Sequence, residues 1–114
     1  MPKVLIIADD LTGALDAAAQ FANQNIPSYV AASADCDLAA RFGEFDVVSV
    51  NAESRHLRPE QAAAVVRELA ERGQQAGVEY SYKKTDSTLR GNLGAELNAL
   101  RVAVGHGRLA FVPA

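Results

Sequence analysis

The sequence predicts an α/β domain: an open, mostly parallel sheet of about five strands with helices on both faces, a Rossmann-like arrangement of three layers. Three observations predict this class. Short apolar runs alternate with segments of helical periodicity along the 114 residues. The first strand segment, Lys3–Ala8, is apolar without interruption from Val4 onward, which is typical of a strand buried on both faces of a parallel sheet. The connections between these segments are short, as in right-handed βαβ units.

The first half of the chain contains three predicted strands and two predicted helices. After the first strand, a helical period places four apolar residues on one face, which we expect to point inward: Leu11, Leu15, Ala18 and Ala22. A second strand is expected at Ser28–Ala32 and a third at Asp46–Val50. Between them a short helix is expected over Asp35–Phe42, with Ser33 or Asp35 as its N-cap.

The second half continues the alternation. Pro59 is expected at the first position of the third helix, which Gly73 or Gly77 ends. Val78–Lys84 is predicted as the fourth strand and Leu109–Val112 as the fifth. The helices of this half carry apolar residues at helical spacing, namely Ala63, Val66 and Ala70 in the third helix and Leu93, Leu97, Leu100 and Val104 in the fourth.

Composition limits the classes of function. With 49% hydrophobic and 22% charged residues, the chain has the profile of one globular domain. Eleven Lys and Arg against fourteen Asp and Glu give a net charge of -3, so we expect neither nucleic acid nor an anionic membrane as a partner. The apolar runs fall short of the roughly 18 residues of a membrane span. No signal-peptide pattern follows Met1, so a cytoplasmic location is expected.

Cysteine and histidine indicate no metal site. The single Cys36 has no partner for an internal disulfide, and its neighbours Asp35 and Asp37 raise rather than lower a thiol pKa. His56 has no partner pattern and is expected on the surface, while His106 is expected in a turn. No Cys/His ligand spacing occurs, and we predict no metal bound by this chain.

The unusual polar residues follow strands. In open parallel sheets the ligand crevice lies beyond the carboxyl ends of the strands. Three polar segments are expected to meet there: Asp9–Gly13 after strand one, Asn51–Arg55 after strand three and Lys84–Asn92 after strand four. Sequence alone therefore predicts one shared rim at this edge of the sheet.

Two of these segments favour particular ligands. Asp9 and Asp10 have two interpretations, and both stay open. They cap the first helix, or they form a site of hard oxygen ligands that binds sugar hydroxyls or a divalent ion. Lys84–Asn92 precedes a helix, where backbone N–H groups and the helix dipole suit an anion. Within it, Arg90 can bind a carboxylate or phosphate bidentately and Lys84 can support it as a point charge. No G-x-x-x-x-G-K-[ST] or G-x-G-x-x-G motif is present, so we expect the nucleotide site to lie elsewhere.

Four segments together resemble the four-carbon acid sugar kinase family, long described as a domain of unknown function or as type III effector Hrp-dependent proteins. They are Ala8–Ala14, Asn51–Arg55, Lys84–Asn92 and Ala110–Ala114. The match spans the chain and resembles the N-terminal domain of those enzymes. The resemblance implies an ATP-dependent kinase that phosphorylates a terminal hydroxyl of a four-carbon sugar acid such as threonate, erythronate or a 3-oxo-tetronate.

The resemblance also implies how the protein is divided. In this family the N-terminal domain holds the sugar acid, and a C-terminal domain holds ATP and Mg²⁺. We therefore expect residues 1–114 to be a truncated N-terminal sugar-acid-binding domain that lacks the nucleotide domain and is inactive alone. The expected partner is a small four-carbon sugar acid, and a homo-oligomer stays open.

Individual roles are expected as follows. Arg90, helped by Lys84, pairs with the substrate carboxylate, and either Asp10 or Asp86 is the catalytic base that accepts the hydroxyl proton. The full set expected to bind substrate is Asp9, Asp10, Thr12, Asn51, Ser54, Arg55, Lys84, Asp86, Ser87 and Arg90.

Two alternatives belong to other classes. A signalling receiver domain has a similar length, five parallel strands and an acid pair after strand one. It requires an Asp at the end of strand three, where this chain has Val50 and Asn51, and a Lys after strand five, where it has Val112 and Pro113. The other alternative is a module that binds a small organic acid without converting it.

Overall fold

A computed structural model describes residues 2–84, 93–104 and 108–112. These residues form one five-stranded sheet, whose order is β2-β3-β1-β4-β5 and whose neighbouring strands are all parallel. The elements in chain order are β1 (Val4–Ala8), α1 (Leu11–Ala22), β2 (Ser28–Ala31), α2 (Leu38–Phe42), β3 (Val47–Asn51), α3 (Pro59–Gln75), β4 (Tyr80–Lys84), α4 (Leu93–Val104) and β5 (Arg108–Val112). The predicted α/β class and the five strands are confirmed.

The helices lie on both faces of the sheet. Helix α1 packs on β1, β2 and β3, while α2, α3 and α4 pack together on the opposite face. This division follows from right-handed crossovers, because the connection from β1 to β2 runs one way along the sheet and the later connections run the other way. The chain segments that leave the carboxyl ends of β1 and β3 therefore lead to helices on opposite faces, and β1 with its neighbour β3 forms a topological switch point.

The strand order excludes the receiver alternative. Receiver domains such as CheY have the flavodoxin-like order 2-1-3-4-5, in which the first strand lies beside the second. In this chain β3 lies between β1 and β2, and β3 ends at Asn51 rather than at an Asp. The signalling-receiver interpretation is therefore wrong.

Strand β1 is the centre of the core, and all five of its residues are buried. Its side chains alternate between the two faces: Leu5 and Ile7 pack with α2, α3 and α4, whereas Val4 and Ile6 pack toward α1 beside Phe21. Burial on both faces explains why the sequence of this strand is continuously apolar rather than alternating.

The predicted inward face of α1 is wrong. Only Ala18 of the four predicted residues is buried, whereas Leu11 is 42% exposed, Leu15 is 50% exposed and Ala22 is also exposed. The helix instead turns Ala14 and Ala18 toward the sheet. Small side chains are needed there, because α1 lies so close that the hydroxyl of Ser49 in β3 donates to the carbonyl of Ala14 at 2.8 Å.

The ends of α2 and α3 refine the sequence predictions. Asp37, rather than Ser33 or Asp35, is the N-cap of α2, and its carboxylate accepts from the backbone N–H of Ala40. Helix α3 begins at Pro59 as predicted, passes through Gly73 and ends before Gly77, whose φ of +89° suits glycine.

Further differences concern α3, α4 and strand limits. In α3 Val66 and Ala70 are buried as predicted, but Ala63 is only half-buried and Leu69 is buried beside them. In α4 Leu100 is buried and Leu97 half-buried. The side chains at positions 93 and 104 lie outside the described residues. The limits of all five strands shift by one or two residues: β1 begins at 4, β2 ends at 31, β3 spans 47–51, β4 begins at 80 and β5 begins at 108. Among the described residues, none of the helices is both long and apolar enough to cross a membrane.

Candidate functional site at the ends of β1 and β3

The carboxyl ends of three strands lie at one level. Ala8 at the end of β1 is in register with Asn51 at the end of β3 on one side and with Lys84 at the end of β4 on the other. The polar segments that follow β1 and β3 therefore emerge side by side, and Lys84 begins the third. This placement is the one that the sequence predicts for a shared rim.

Asp10 is both a helix cap and an exposed acid. Its backbone is extended, and its Oδ1 accepts from the backbone N–H of Gly13 at 2.8 Å, so it is the N-cap of α1. Its Oδ2 lies 3.0 Å from Nη2 of Arg55, and the side chain remains 34% exposed. Capping and ligand binding are therefore compatible for this residue, because the cap uses one oxygen and leaves the other facing the loop after β3.

Asp9 is buried and holds the guanidinium of Arg55. Nη2 of Arg55 lies 3.2 Å from Oδ1 of Asp9, and Nε lies 3.4 Å from Oδ2. The side chain of Asp9 is only 6% exposed and that of Arg55 only 16%. A two-point contact of this kind fixes the plane of the guanidinium, which bridges Asp9 and Asp10.

Backbone hydrogen bonds bring the loop after β3 to the acid pair. The N–H of Ala52 donates to the carbonyl of Ala8, and the N–H of Ser54 donates to the carbonyl of Asp9. Within the loop, Oδ1 of Asn51 accepts from the N–H of Glu53 at 2.9 Å, while its Nδ2 donates to the carbonyl of Ala32. Asn51 therefore shapes the turn, in which Glu53 has a positive φ of 53°.

The resulting cleft has a volume of about 420 Å³. It is lined by Asp9, Asp10, Leu11, Asn51, Glu53, Arg55 and His56. Four of these are predicted substrate-binding residues, Leu11 and Glu53 lie within the predicted rim segments without an assigned role, and His56 lies outside the predicted segments. His56 is exposed, as predicted, yet it borders the cleft. Its position directly after Arg55 was the available signal.

Ser54 lies below the cleft rather than on its wall. It is fully buried, and its hydroxyl donates to Oε1 of Glu96 in α4 at 3.0 Å. The same oxygen lies 3.1 Å from Nζ of Lys83 in β4. The sequence patterns did not indicate Lys83 and Glu96 as site residues, although a Glu among the apolar positions of α4 is a visible signal.

The remaining predicted site residues have different placements. Thr12 is exposed in the first turn of α1 and does not line the cleft. Lys84 is half-buried at the end of β4, and its Cγ lies 3.6 Å from the position that a Cβ on Gly13 would take. Asp86, Ser87 and Arg90 lie outside the described residues.

The described part of the chain contains no group of three His, Cys, Asp or Glu residues that could hold a metal ion. Cys36 is a free thiol. Burial raises its pKa above the ordinary value, and Asp35 adds a smaller increase that the positive charge of Arg72 opposes. None of this indicates a reactive or metal-binding cysteine.

Known proteins match the chain over nearly its full length. The D-threonate kinase of Bordetella bronchiseptica is 44% identical over 115 residues, which cover 97% of this chain and 28% of the kinase. The D-erythronate kinase of Heliobacterium modesticaldum is 38% identical over 116 residues, which cover 100% of this chain and 26% of that enzyme. The chain thus spans about a quarter of the length of these curated relatives.

Solved structures and a family description agree with this match. A crystal structure of a domain of unknown function from Bordetella bronchiseptica, described as a domain-swapped dimer with bound citrate, has a TM-score of 0.86 and 41% identity. That match covers 92% of this chain and 27% of the other. A structure described as a putative tRNA synthase from Salmonella typhimurium has a TM-score of 0.79 and 26% identity, over 90% of this chain and 26% of the other. The family model of the sugar-binding N-terminal domain matches residues 4–114. The resemblance seen in the sequence is confirmed, and the chain belongs to the family of sugar-binding N-terminal domains.

Proposed function

We propose that this chain is the sugar-acid-binding part of an ATP-dependent kinase, which phosphorylates a terminal hydroxyl of a four-carbon sugar acid such as threonate, erythronate or a 3-oxo-tetronate. The observation that carries the proposal is the pair of acids at the end of β1, Asp9 and Asp10, bridged by Arg55 in a cleft at the switch point of the sheet. The curated names of the D-threonate and D-erythronate kinases support the substrate class.

Asp10 suits the role of the group that contacts the reacting hydroxyl. It is the more exposed of the two acids, and its capping bond to Gly13 fixes the direction of its carboxylate. A carboxylate in this position can accept a hydrogen bond from a sugar hydroxyl and then its proton as the phosphoryl group is transferred. Asp9, with both oxygens held by Arg55, is better suited to orienting that guanidinium. Asp86 stays the alternative base.

The charges of the cleft favour a second, cationic half of the site. Its described lining carries three carboxylates, those of Asp9, Asp10 and Glu53, against one guanidinium, that of Arg55. This excess of negative charge suits hydroxyl groups but repels the carboxylate of a sugar acid. We therefore assign the substrate carboxylate to the Lys84–Asn92 segment, where Arg90 provides a planar pair of donors and Lys84 an additional positive charge.

ATP and Mg²⁺ do not fit the described residues. Both oxygens of Asp9 and one of Asp10 contact Arg55, and no three-residue metal cluster occurs in the described ranges. The sequence also lacks a phosphate-binding glycine motif. We propose that a C-terminal domain outside these 114 residues binds ATP and Mg²⁺, and that the two domains act together in the cytoplasm.

A kinase assay with the full protein tests this function. With ATP and Mg²⁺, we expect phosphorylation of D-threonate, D-erythronate or a 3-oxo-tetronate, and no turnover of erythritol, which has the hydroxyls but no carboxylate. The 114-residue chain alone is expected to be inactive. Binding of a sugar acid by the full protein without any phosphorylation would instead establish the binding-only alternative.

The anion assignment is tested in the same assay. Arg90→Ala should lower kcat/KM for the sugar acid by about 30- to 1000-fold, because a charge-assisted bidentate contact is lost. Arg90→Lys should recover only part of it, because one ammonium group does not reproduce the planar guanidinium. If Arg90→Ala keeps the parental kcat/KM, Arg90 does not bind the substrate carboxylate, and Lys84 becomes the candidate cation.

We further propose that the full protein forms a homo-oligomer. The support is the domain-swapped dimer described for the Bordetella bronchiseptica relative, whose bound citrate is also a hydroxylated carboxylic acid. Sedimentation equilibrium of the full protein should give a mass of two or more chains, and the mass of one chain would contradict the assignment.

A further inference from the structure

A buried polar network joins the loop after β3 to β4 and α4. Lys83 and Glu96 are each 1% exposed, and Ser54 is fully buried. Oε1 of Glu96 lies 3.1 Å from Nζ of Lys83 and accepts from the hydroxyl of Ser54 at 3.0 Å. Nζ of Lys83 also donates to the carbonyl of Lys84 at 3.1 Å. The loop after β3, strand β4 and helix α4 therefore contact one another at a single carboxylate oxygen, Oε1 of Glu96.

Two members of this network stand next to a residue of the proposed site in the sequence. Ser54 precedes Arg55, whose guanidinium bridges the two acids of the cleft. Lys83 precedes Lys84, and its ammonium group holds the carbonyl of that residue. Glu96 is in the first turn of α4, where a negative charge is favoured by the helix dipole. The network thus links the loop after β3 with the end of β4.

Stability alone is a weak reason for such a network. Removing an ammonium and a carboxylate from water is costly, and well-packed apolar residues of similar volume often replace a buried ion pair at equal or higher stability. A directional network has a different property, because it fixes the relative positions of the segments that it joins. Here those segments carry the hydroxyl-binding and the carboxylate-binding halves of the proposed site.

We propose that Lys83, Glu96 and Ser54 are positioning residues that hold the Arg55 loop and Lys84 at the spacing required by a four-carbon sugar acid. This inference rests on the proposed function. The network acts through Arg55 and Lys84, since its own polar groups are buried and none of its residues lines the cleft. A substrate held at both ends is sensitive to this spacing, because displacements near 1 Å can change rates by about 100-fold.

The decisive variant replaces the ion pair with apolar residues of similar length. In the full protein, Lys83→Met combined with Glu96→Met should change the melting temperature little, because neither charge remains buried without its partner, while the loss of an acceptor for the Ser54 hydroxyl opposes any gain. We expect KM for the sugar acid to rise about 10- to 100-fold, while KM for ATP stays unchanged. If the network only stabilises the fold, a folded double variant should keep the parental KM for the sugar acid. That result would overturn the proposal.

Ser54→Ala gives an independent measurement, because it leaves the ion pair of Lys83 and Glu96 in place. We expect KM for the sugar acid to rise about 3- to 10-fold because the hydroxyl no longer donates to Glu96, again with KM for ATP unchanged. This variant decides the question if the double Met variant fails to fold, and a parental KM for the sugar acid in Ser54→Ala would also overturn the proposal.

A control ion pair, partly exposed rather than buried, lies at the opposite, amino-terminal ends of the strands. Lys3 and Asp46 form an ion pair with the same 3.1 Å separation, far from the cleft. Lys3→Met with Asp46→Met should leave both KM values unchanged. If the parent protein phosphorylates none of the tetronates in the kinase assay and binds none of them in calorimetry, the proposed function itself fails. If the parent is active and the network variants match it, only the positioning role fails.

Discussion

Arg55 contacts both carboxylate oxygens of Asp9, a residue 46 positions earlier in the chain. The contact closes the gap between the loops that follow β1 and β3, and it does so with the side chain of Asp9 only 6% exposed. The same guanidinium reaches Asp10 at 3.0 Å. One arginine therefore determines how both acids are presented to the cleft, and the effect of its removal can be predicted.

Arg55→Ala should lower both stability and activity. It leaves the buried carboxylate of Asp9 without its cationic partner, so we expect the free energy of unfolding to fall by about 2–4 kcal/mol. Urea denaturation measures this change. Arg58→Ala is the control, because the pair of Arg58 with Glu60 is mostly exposed and should contribute less than about 0.5 kcal/mol. Equal losses in both variants would show that the contact with Asp9 has no special role.

Asp10→Asn should separate capping from chemistry. Asparagine is as good an N-cap as aspartate, so the melting temperature should change little. The amide cannot accept a proton, and kcat of the full protein should fall by about 100-fold or more.

Asp37→Asn is the matched control for that variant, because Asp37 caps α2 through the same type of side-chain contact away from the cleft. It should leave kcat unchanged. If Asp10→Asn retains parental kcat while remaining folded, Asp86 becomes the candidate base.

Gly13→Ala should impair binding more than folding. An added Cβ would lie 3.0 Å from Oδ1 of Asp10, so that carboxylate must shift by a few tenths of an ångström, whereas Cγ of Lys84 at 3.6 Å would stay in ordinary van der Waals contact. Because alanine favours helix by up to about 1 kcal/mol over glycine, the net effect on stability should be small. Calorimetric titration of the full protein with a tetronate should show weaker binding.

Gly94→Ala provides the comparison for that variant. Gly94 is in α4, and a Cβ there meets nothing within 4 Å among the described residues. We expect a gain in stability of about 0.5–1 kcal/mol and unchanged sugar-acid binding. Equal binding by Gly13→Ala and the parent would contradict the assigned position of Asp10.

Cys36 should react slowly with alkylating reagents at neutral pH. Burial raises its pKa above the ordinary 9.0, and only the thiolate is nucleophilic. The rate of reaction with iodoacetamide should therefore be lower than that of a free cysteine peptide and should still rise with pH through 9. A rate that reaches its plateau below pH 8.5 would mean that the positive charge of Arg72 outweighs burial.

Much of the fold was predictable, because a strand that is buried on both faces of a sheet has a continuously apolar sequence. Continuous apolar residues in β1 and the helix start at Pro59 indicated these elements correctly. The inward face of α1 was not predictable from hydrophobicity, since Leu11 and Leu15 are the largest apolar residues of its first half but lie outward. The close approach of α1 to Ser49 in β3 selects alanines instead, and that distance depends on the assembled sheet.

The candidate site was predictable in position but not in detail. Strand ends and chain order place Asp10 and Asn51 together, because parallel strands end at one edge. The buried bond from Ser54 to Glu96 was not predictable, since it depends on how α4 packs behind the loop after β3. A serine in a polar loop looks the same in sequence whether its hydroxyl faces a ligand or a buried carboxylate.

The most direct test is a crystal structure of the full protein with bound D-threonate. We expect a substrate hydroxyl about 2.5–3.0 Å from a carboxylate oxygen of Asp10, in the cleft that Arg55 lines, with the substrate carboxylate directed toward Lys84 and Arg90. A sugar acid bound elsewhere on the domain, with no contact to Asp10 or Arg55, would contradict the proposed site.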